Sequence, residues 1–203
     1  MPAPTFLALG DSYTIGEGVP EAGRWPMQLA AGLHAAHIEV QALRIIATTG
    51  WTTDELSAAM DAATLTPGHG LVTLLIGVNN QYRGRPQAEY REQFLALLER
   101  AIALAGDARR VIVVSIPDWG VTRFAEGRDR AQIAREIDAF NGIAHDETRR
   151  AFARWVDVTA ISRKAGAADD MLVEDGLHPS ARQYALWTEA ILPEARAAIR
   201  ELR

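Results

Sequence analysis

The sequence predicts an α/β protein, a three-layer α/β/α sandwich with a five-stranded parallel sheet. Three observations predict it. Short apolar runs alternate with longer amphipathic segments along the chain. Three of those runs are rich in Val, Ile and Leu without polar alternation, the pattern of strands buried on both faces. Gly, Pro, Asn and Asp gather where the runs end, at Gly10-Asp11, Gly50, Gly77-Val78-Asn79-Asn80 and Pro117-Asp118, where the turns of a strand–helix alternation belong.

Strands are expected at Thr5–Leu9, Ile38–Ala47, Leu71–Ile76, Val111–Ile116 and Trp155–Val158. Amphipathic periodicity predicts helices at Trp25–His37, Thr53–Ala63, Gln87–Ala105, Asp129–Ala153 and Ala181–Leu202. Thr52, three residues before Glu55, has the form of a capping box opening the second helix. No internal repeat, low-complexity tract or Pro/Gly linker divides the 203 residues, so residues 1–203 are expected to form one domain. Ligands of open α/β sheets bind outside the carboxyl ends of the strands. The post-strand loops are therefore predicted to share one functional edge.

Composition excludes several functions. With 21 Lys and Arg against 26 Asp and Glu, the net charge is -5, and no Lys/Arg-rich run offers a phosphate-binding stripe. Nucleic acid is thus not expected as a partner. Zero cysteines remove disulfides, thiolate catalysis and zinc–thiolate sites together. The run Phe6–Leu9 is too short for a signal h-region or a membrane span, and Met1–Thr5 carries no basic n-region. A cytoplasmic protein without a membrane span is expected; a periplasmic location stays open for a chain whose leader has been removed.

Three groups of residues carry chemistry. Ser12 follows the first strand directly, where a sheet fixes the backbone while a loop exposes the hydroxyl. By position alone it reads as a turn or N-cap serine or as a nucleophile, which needs an adjacent base. Asp175 and His178 stand three residues apart in Asp175-Gly176-Leu177-His178-Pro179. One tight turn brings that carboxylate to the imidazole, fixing the tautomer and leaving the far nitrogen to exchange a proton with Ser12. The bland alternative is a helix-entry loop with a surface histidine. Gly50, which permits close backbone approach, and Asn79, a neutral amide donor, follow the second and third strands as candidate oxyanion donors. Each alone is equally a turn residue. The Gly-x-Ser-x-Gly elbow of α/β-hydrolases is missing.

Assembled in order, these residues resemble the SGNH/GDSL hydrolase family of esterases and lipases. Gly10-Asp11-Ser12-Tyr13 matches the first block, with Tyr13 where Leu is common. Gly50 matches the second, Gly77-Val78-Asn79 the third and Asp175-Gly176-Leu177-His178-Pro179 the last. The resemblance implies a flavodoxin-like sandwich and a serine esterase acting on small acyl, lipid, thioester or acetylated-sugar substrates without a cofactor or metal. It further implies Ser12 as nucleophile, His178 as general base and acid, and Asp175 as its orienting carboxylate. The Ser12 and Gly50 backbone amides and the Asn79 side chain would form the oxyanion hole. One position departs: Asn80 stands where the third block ordinarily has Asp. A non-catalytic carbohydrate- or lipid-binding module on this fold is the alternative, and a metal-dependent hydrolase a third reading. The oligomeric state is left undetermined.

Other residues carry weaker suggestions. His34 and His37 lie three apart on a predicted helix, a spacing that metal ligation can use, yet no matching acidic or His set accompanies them. His69 and His145 suggest no role. Trp25, Trp51 and Trp119 either line an apolar pocket or pack beneath the loops. Arg83 and Arg123 are candidates to meet an anionic group, and Glu17 and Asp118 to line the site.

Overall fold

The computed structural model describes residues 4–200. The strands are β1 (Thr5–Gly10), β2 (Ala42–Ala47), β3 (Leu71–Leu75), β4 (Val111–Val114) and β5 (Arg154–Val156). All pair in parallel, in the order β2-β1-β3-β4-β5. β3 and β4 are buried at every position, as strands covered by helices on both faces must be.

The helices are α1 (Ser12–Ile15), α2 (Trp25–Ala35), α3 (Thr53–Ala62), α4 (Val78–Tyr82), α5 (Gln87–Ala105), α6 (Arg130–Arg150), α7 (Thr159–Ala165) and α8 (Ala181–Arg200). α2 packs on α8, and α5 packs on α3 and α6, forming the outer layers. The predicted capping box forms: Thr52 N–H donates to Glu55 Oε2 at 2.8 Å. The predicted bounds of α5 coincide with those observed.

Elsewhere the boundaries shift for local reasons. α2 stops at Ala35, not His37, because His37 adopts φ 60° and Ile38 N–H reaches back to Leu33 O at 2.9 Å, a Schellman-type closure. β2 begins at Ala42, not Ile38, where its pairing with β1 starts opposite Thr5. α6 ends at Arg150 and Phe152 turns to φ 58°. The predicted extension of the last helix to Leu202 lies outside the described residues.

Register places the ends of β2, β1 and β3 side by side, Gly10 opposite both Ala47 and Leu75. The loops leaving β2, β1 and β3 therefore emerge from one stretch of the sheet's carboxyl edge. Gly10 must be glycine there: an added Cβ would lie 2.1 Å from Thr14 Oγ1 and 2.5 Å from Leu75 O. Among the described residues, no helix is long and apolar enough to cross a membrane.

Candidate active site

β1 delivers Ser12 to the first turn of α1. Asp11 caps that turn, its Oδ1 accepting from Tyr13 N–H at 3.0 Å. Ser12 is 4% exposed. Asp11 is fully buried and its Oδ2 finds no partner among the described residues. Burial raises its pKa from 3.8 to about 7 against the lowering effect of the Tyr13 backbone bond, because desolvation penalises the charged form.

The loop after β2 carries Gly50 at φ 89°, a conformation that suits only glycine. Arg83 Nη2 donates to Gly50 O at 2.6 Å and its other arm meets Glu55 at 3.4 Å, so Arg83 braces this turn. After β3, Gly77 takes φ 130°, and a Cβ there would lie 2.6 Å from the Tyr90 ring. The chain then enters α4 with Asn79 in its first turn. Asn79 Nδ2 donates to Trp51 O at 2.9 Å. An amide nitrogen has two hydrogens, so the Trp51 carbonyl orients the group and leaves the second free.

Asn80 is buried and faces the start of α3. Its Oδ1 accepts from Thr53 N–H at 3.1 Å, while its Nδ2 donates to Thr53 Oγ1 at 2.7 Å. The Thr53 hydroxyl in turn donates to Gln93 Oε1. The backbone N–H can only donate, which fixes the amide's orientation. A carboxylate would accept at both positions. The asparagine instead reverses the Thr53 hydroxyl and passes the bond on to α5, tying three helices without a buried charge. This accounts for the departure at this position.

The fourth segment precedes α8 and is closed on itself. Val173 N–H bonds His178 O at 2.9 Å, Gly176 N–H bonds Val173 O at 3.0 Å, and Leu172 bridges Pro179. Gly176 supplies φ 70° at the turn. Asp175 Oδ1 accepts the N–H groups of Leu177 at 2.8 Å and His178 at 3.0 Å, and Oδ2 meets His178 Nδ1 at 2.6 Å. Burial opposes ionisation of Asp175, but these bonds outweigh it and hold its pKa below the ordinary carboxylate value. His178 lies 7% exposed with its ring 5.6 Å from that of Tyr13. The side chain next to Ser12 thus contacts the imidazole paired with Asp175.

The remaining candidates divide. Trp25 is fully buried, with Nε1 donating to Tyr13 O at 3.0 Å, so it supports the Ser12 turn from below. Trp51 is half-buried and acts through its carbonyl. Trp119 is 4% exposed, its Nε1 bonded to Gln81 Oε1 at 2.8 Å. Asp118 is a buried ion-pair member, 2.8 Å from Arg163 Nε, and Glu17 accepts from Thr49 Oγ1. Arg123 pairs with Asp169. His34 pairs with Glu39 at the surface and, with His37 past the helix end, the two do not share a helix face. His69 Nδ1 lies 2.9 Å from Thr5 Oγ1 and His145 packs edge-on against Trp155. Sequence reasoning missed Tyr82, Phe124 and Arg128, which gather beside Trp119. Asn79-Asn80-Gln81-Tyr82 placed an aromatic one turn past the amide, the only available signal.

The profile of the GDSL-like Lipase/Acylhydrolase family matches residues 8–186. No curated protein matches the chain in sequence. Solved structures of similar fold include TesA, 19% identical with a TM-score of 0.76, covering 96% of this chain and 99% of that one. Axe2, an acetylxylan esterase from Geobacillus stearothermophilus, is 18% identical with a TM-score of 0.74, covering 95% and 94%. The psychrotrophic esterase EstA from Pseudoalteromonas sp. is 17% identical with a TM-score of 0.67, covering 98% of each chain. With that profile spanning all four segments of the site, the chain belongs to the GDSL-like lipase/acylhydrolase family of serine-type carboxylic ester hydrolases.

Proposed function

We propose that Ser12, His178 and Asp175 carry out the ester hydrolysis, with the Ser12 and Gly50 amides and the Asn79 side chain as oxyanion donors. The observation that carries this reading is the Asp175 Oδ2–His178 Nδ1 contact of 2.6 Å. It commits Nδ1 as the donor, so Nε2 is the lone pair available as base.

Ser12 Oγ attacks the ester carbonyl carbon as His178 Nε2 takes its proton. The carbonyl oxygen becomes an oxyanion facing the three donors, among them the spare Asn79 hydrogen. Collapse breaks the bond to the alcohol, which leaves with the proton from His178. Water, deprotonated by His178, then attacks the acyl–Ser12 ester, and collapse frees the acid as His178 returns that proton to Ser12 Oγ. Asp175 remains ionised throughout, as its lowered pKa favours. The substrate is a small-molecule ester.

The test is hydrolysis of p-nitrophenyl esters of increasing acyl length, with and without EDTA. EDTA-resistant turnover that vanishes in Ser12→Ala supports the assignment. Turnover surviving in Ser12→Ala removes the nucleophile, and turnover abolished by EDTA points to a metal-dependent reaction.

A further inference from the structure

Beyond the reacting atoms, two large rings stand open to water beside one another: Tyr82 is 48% and Phe124 38% exposed. With Trp119 they form a trio, ring centroids 5.5 Å (Tyr82–Trp119), 6.0 Å (Trp119–Phe124) and 6.3 Å (Tyr82–Phe124) apart. The Arg128 guanidinium lies 5.4, 5.3 and 4.9 Å from the Tyr82, Trp119 and Phe124 centroids, which pins it by cation–π attraction. Beside the trio opens a recess of about 350 Å³ whose walls include Gln81, Tyr82, Trp119, Arg128, Gln132 and Glu136, within the size range of small-ligand sites.

We propose that this recess is a glycosyl subsite, holding the sugar ring of an acylated carbohydrate whose ester is cleaved at Ser12; the inference rests on the ester-hydrolase reading above. The polar wall is fixed in place. Gln81 joins Trp119 Nε1 to Glu136 Oε2, with its Nε2 donating at 2.7 Å, and Gln132 Nε2 donates to Glu136 Oε1 at 2.8 Å. Those bonds orient the groups yet leave carboxylate lone pairs and amide hydrogens to spare. A pyranose needs this combination: an aromatic surface for its C–H face, and closely spaced donors and acceptors for its hydroxyls. An acyl chain would desolvate Glu136 and Gln132 without compensation. An anion would meet two carboxylates, Asp129 and Glu136, against one guanidinium.

The platform also adjoins both halves of the catalytic edge. Tyr82 ends the helix that carries Asn79. Phe124 N–H donates to Gly176 O at 3.1 Å, inside the Asp175–His178 turn.

The test titrates the Ser12→Ala protein with unacylated xylotetraose, cellotetraose and chitotetraose, following tryptophan fluorescence. Saturable millimolar binding of at least one is expected, weakened about tenfold, roughly 1.4 kcal/mol, by Tyr82→Ala and retained by Tyr82→Phe. In the active enzyme, Tyr82→Ala should lower kcat/KM on the acetylated form of that oligosaccharide about tenfold more than on p-nitrophenyl acetate. No binding of any probe, or binding indifferent to Tyr82→Ala, overturns the subsite while p-nitrophenyl acetate turnover leaves the esterase reading standing. Tyr82-dependent binding without any ester turnover would keep the sugar site and overturn the esterase reading.

Discussion

The amino-terminal and carboxyl-terminal parts of the site are held in place by different means. Ser12, Gly50 and Asn79 sit on three loops whose positions come from strand register, Gly10 opposite Ala47 and Leu75, and from bonds between distant segments such as Asn79–Trp51 and Asn80–Thr53. Asp175 and His178 are held by a turn whose bonds run within a few residues, from Val173 to His178. In the proposed mechanism the sheet edge supplies the oxyanion donors, and the loop supplies the acid–base pair already in contact. The Tyr13–His178 ring contact joins the two.

If the two parts act as one device, removing either should stop the chemistry. Ser12→Ala and His178→Ala are each expected to lower kcat on the order of 10⁵–10⁶-fold, and the double variant no further. Additive losses would show that the two do not act together. Asp175→Asn should cost about 10⁴-fold by losing control of the His178 tautomer, without a comparable loss of thermal stability. On the sheet side, Asn79→Ala should cost about 10²–10³-fold in kcat with KM little changed; a loss confined to KM would make Asn79 a ground-state binding residue.

The sheet side should also be the part whose polar anchors stabilise the fold. Asn80→Ala leaves the Thr53 N–H without its acceptor and the Thr53 hydroxyl with Gln93 alone, and should cost about 1–3 kcal/mol in urea unfolding. Asn80→Asp keeps the acceptor but forces the Thr53 hydroxyl to turn back from Gln93. A smaller loss than in Asn80→Ala is expected.

Asp11 gives the most pH-dependent effect. Its carboxyl holds its proton up to about pH 7 in the folded protein and only to about 3.8 when unfolded. The folded state therefore binds more protons between those values, and stability falls as pH rises through that window. Asp11→Asn should flatten that fall in denaturation curves between pH 4 and pH 8, relative to wild type. An unchanged slope would remove Asp11 as its source.

The same contrast explains what could be read in the sequence. The Asp-x-x-His turn and the Thr52–Glu55 box are local, so residue spacing reveals them directly. The strand ends that bring Ser12, Gly50 and Asn79 together follow from the alternation of buried runs, because parallel topology puts those loops on one edge. α4 and α7 escape the reading because five and seven residues are too few for a helical period to show. The Tyr82–Trp119–Phe124–Arg128 cluster escapes because its members come from segments whose proximity is purely tertiary. Trp119 reads as a loop aromatic in the sequence, while nothing in the spacing links it to Phe124 or Arg128. By sequence Arg83 is a candidate for an anionic ligand; in the folded chain it braces the Gly50 turn.

In the proposed mechanism Ser12 is the nucleophile activated by His178. Treating the protein with a serine-reactive fluorophosphonate and mapping the adduct by peptide mass spectrometry tests it directly. One adduct on Ser12 in the wild type, none in Ser12→Ala and much slower labelling in His178→Ala is the predicted result. An adduct on another residue, or undiminished labelling of Ser12→Ala, would contradict it.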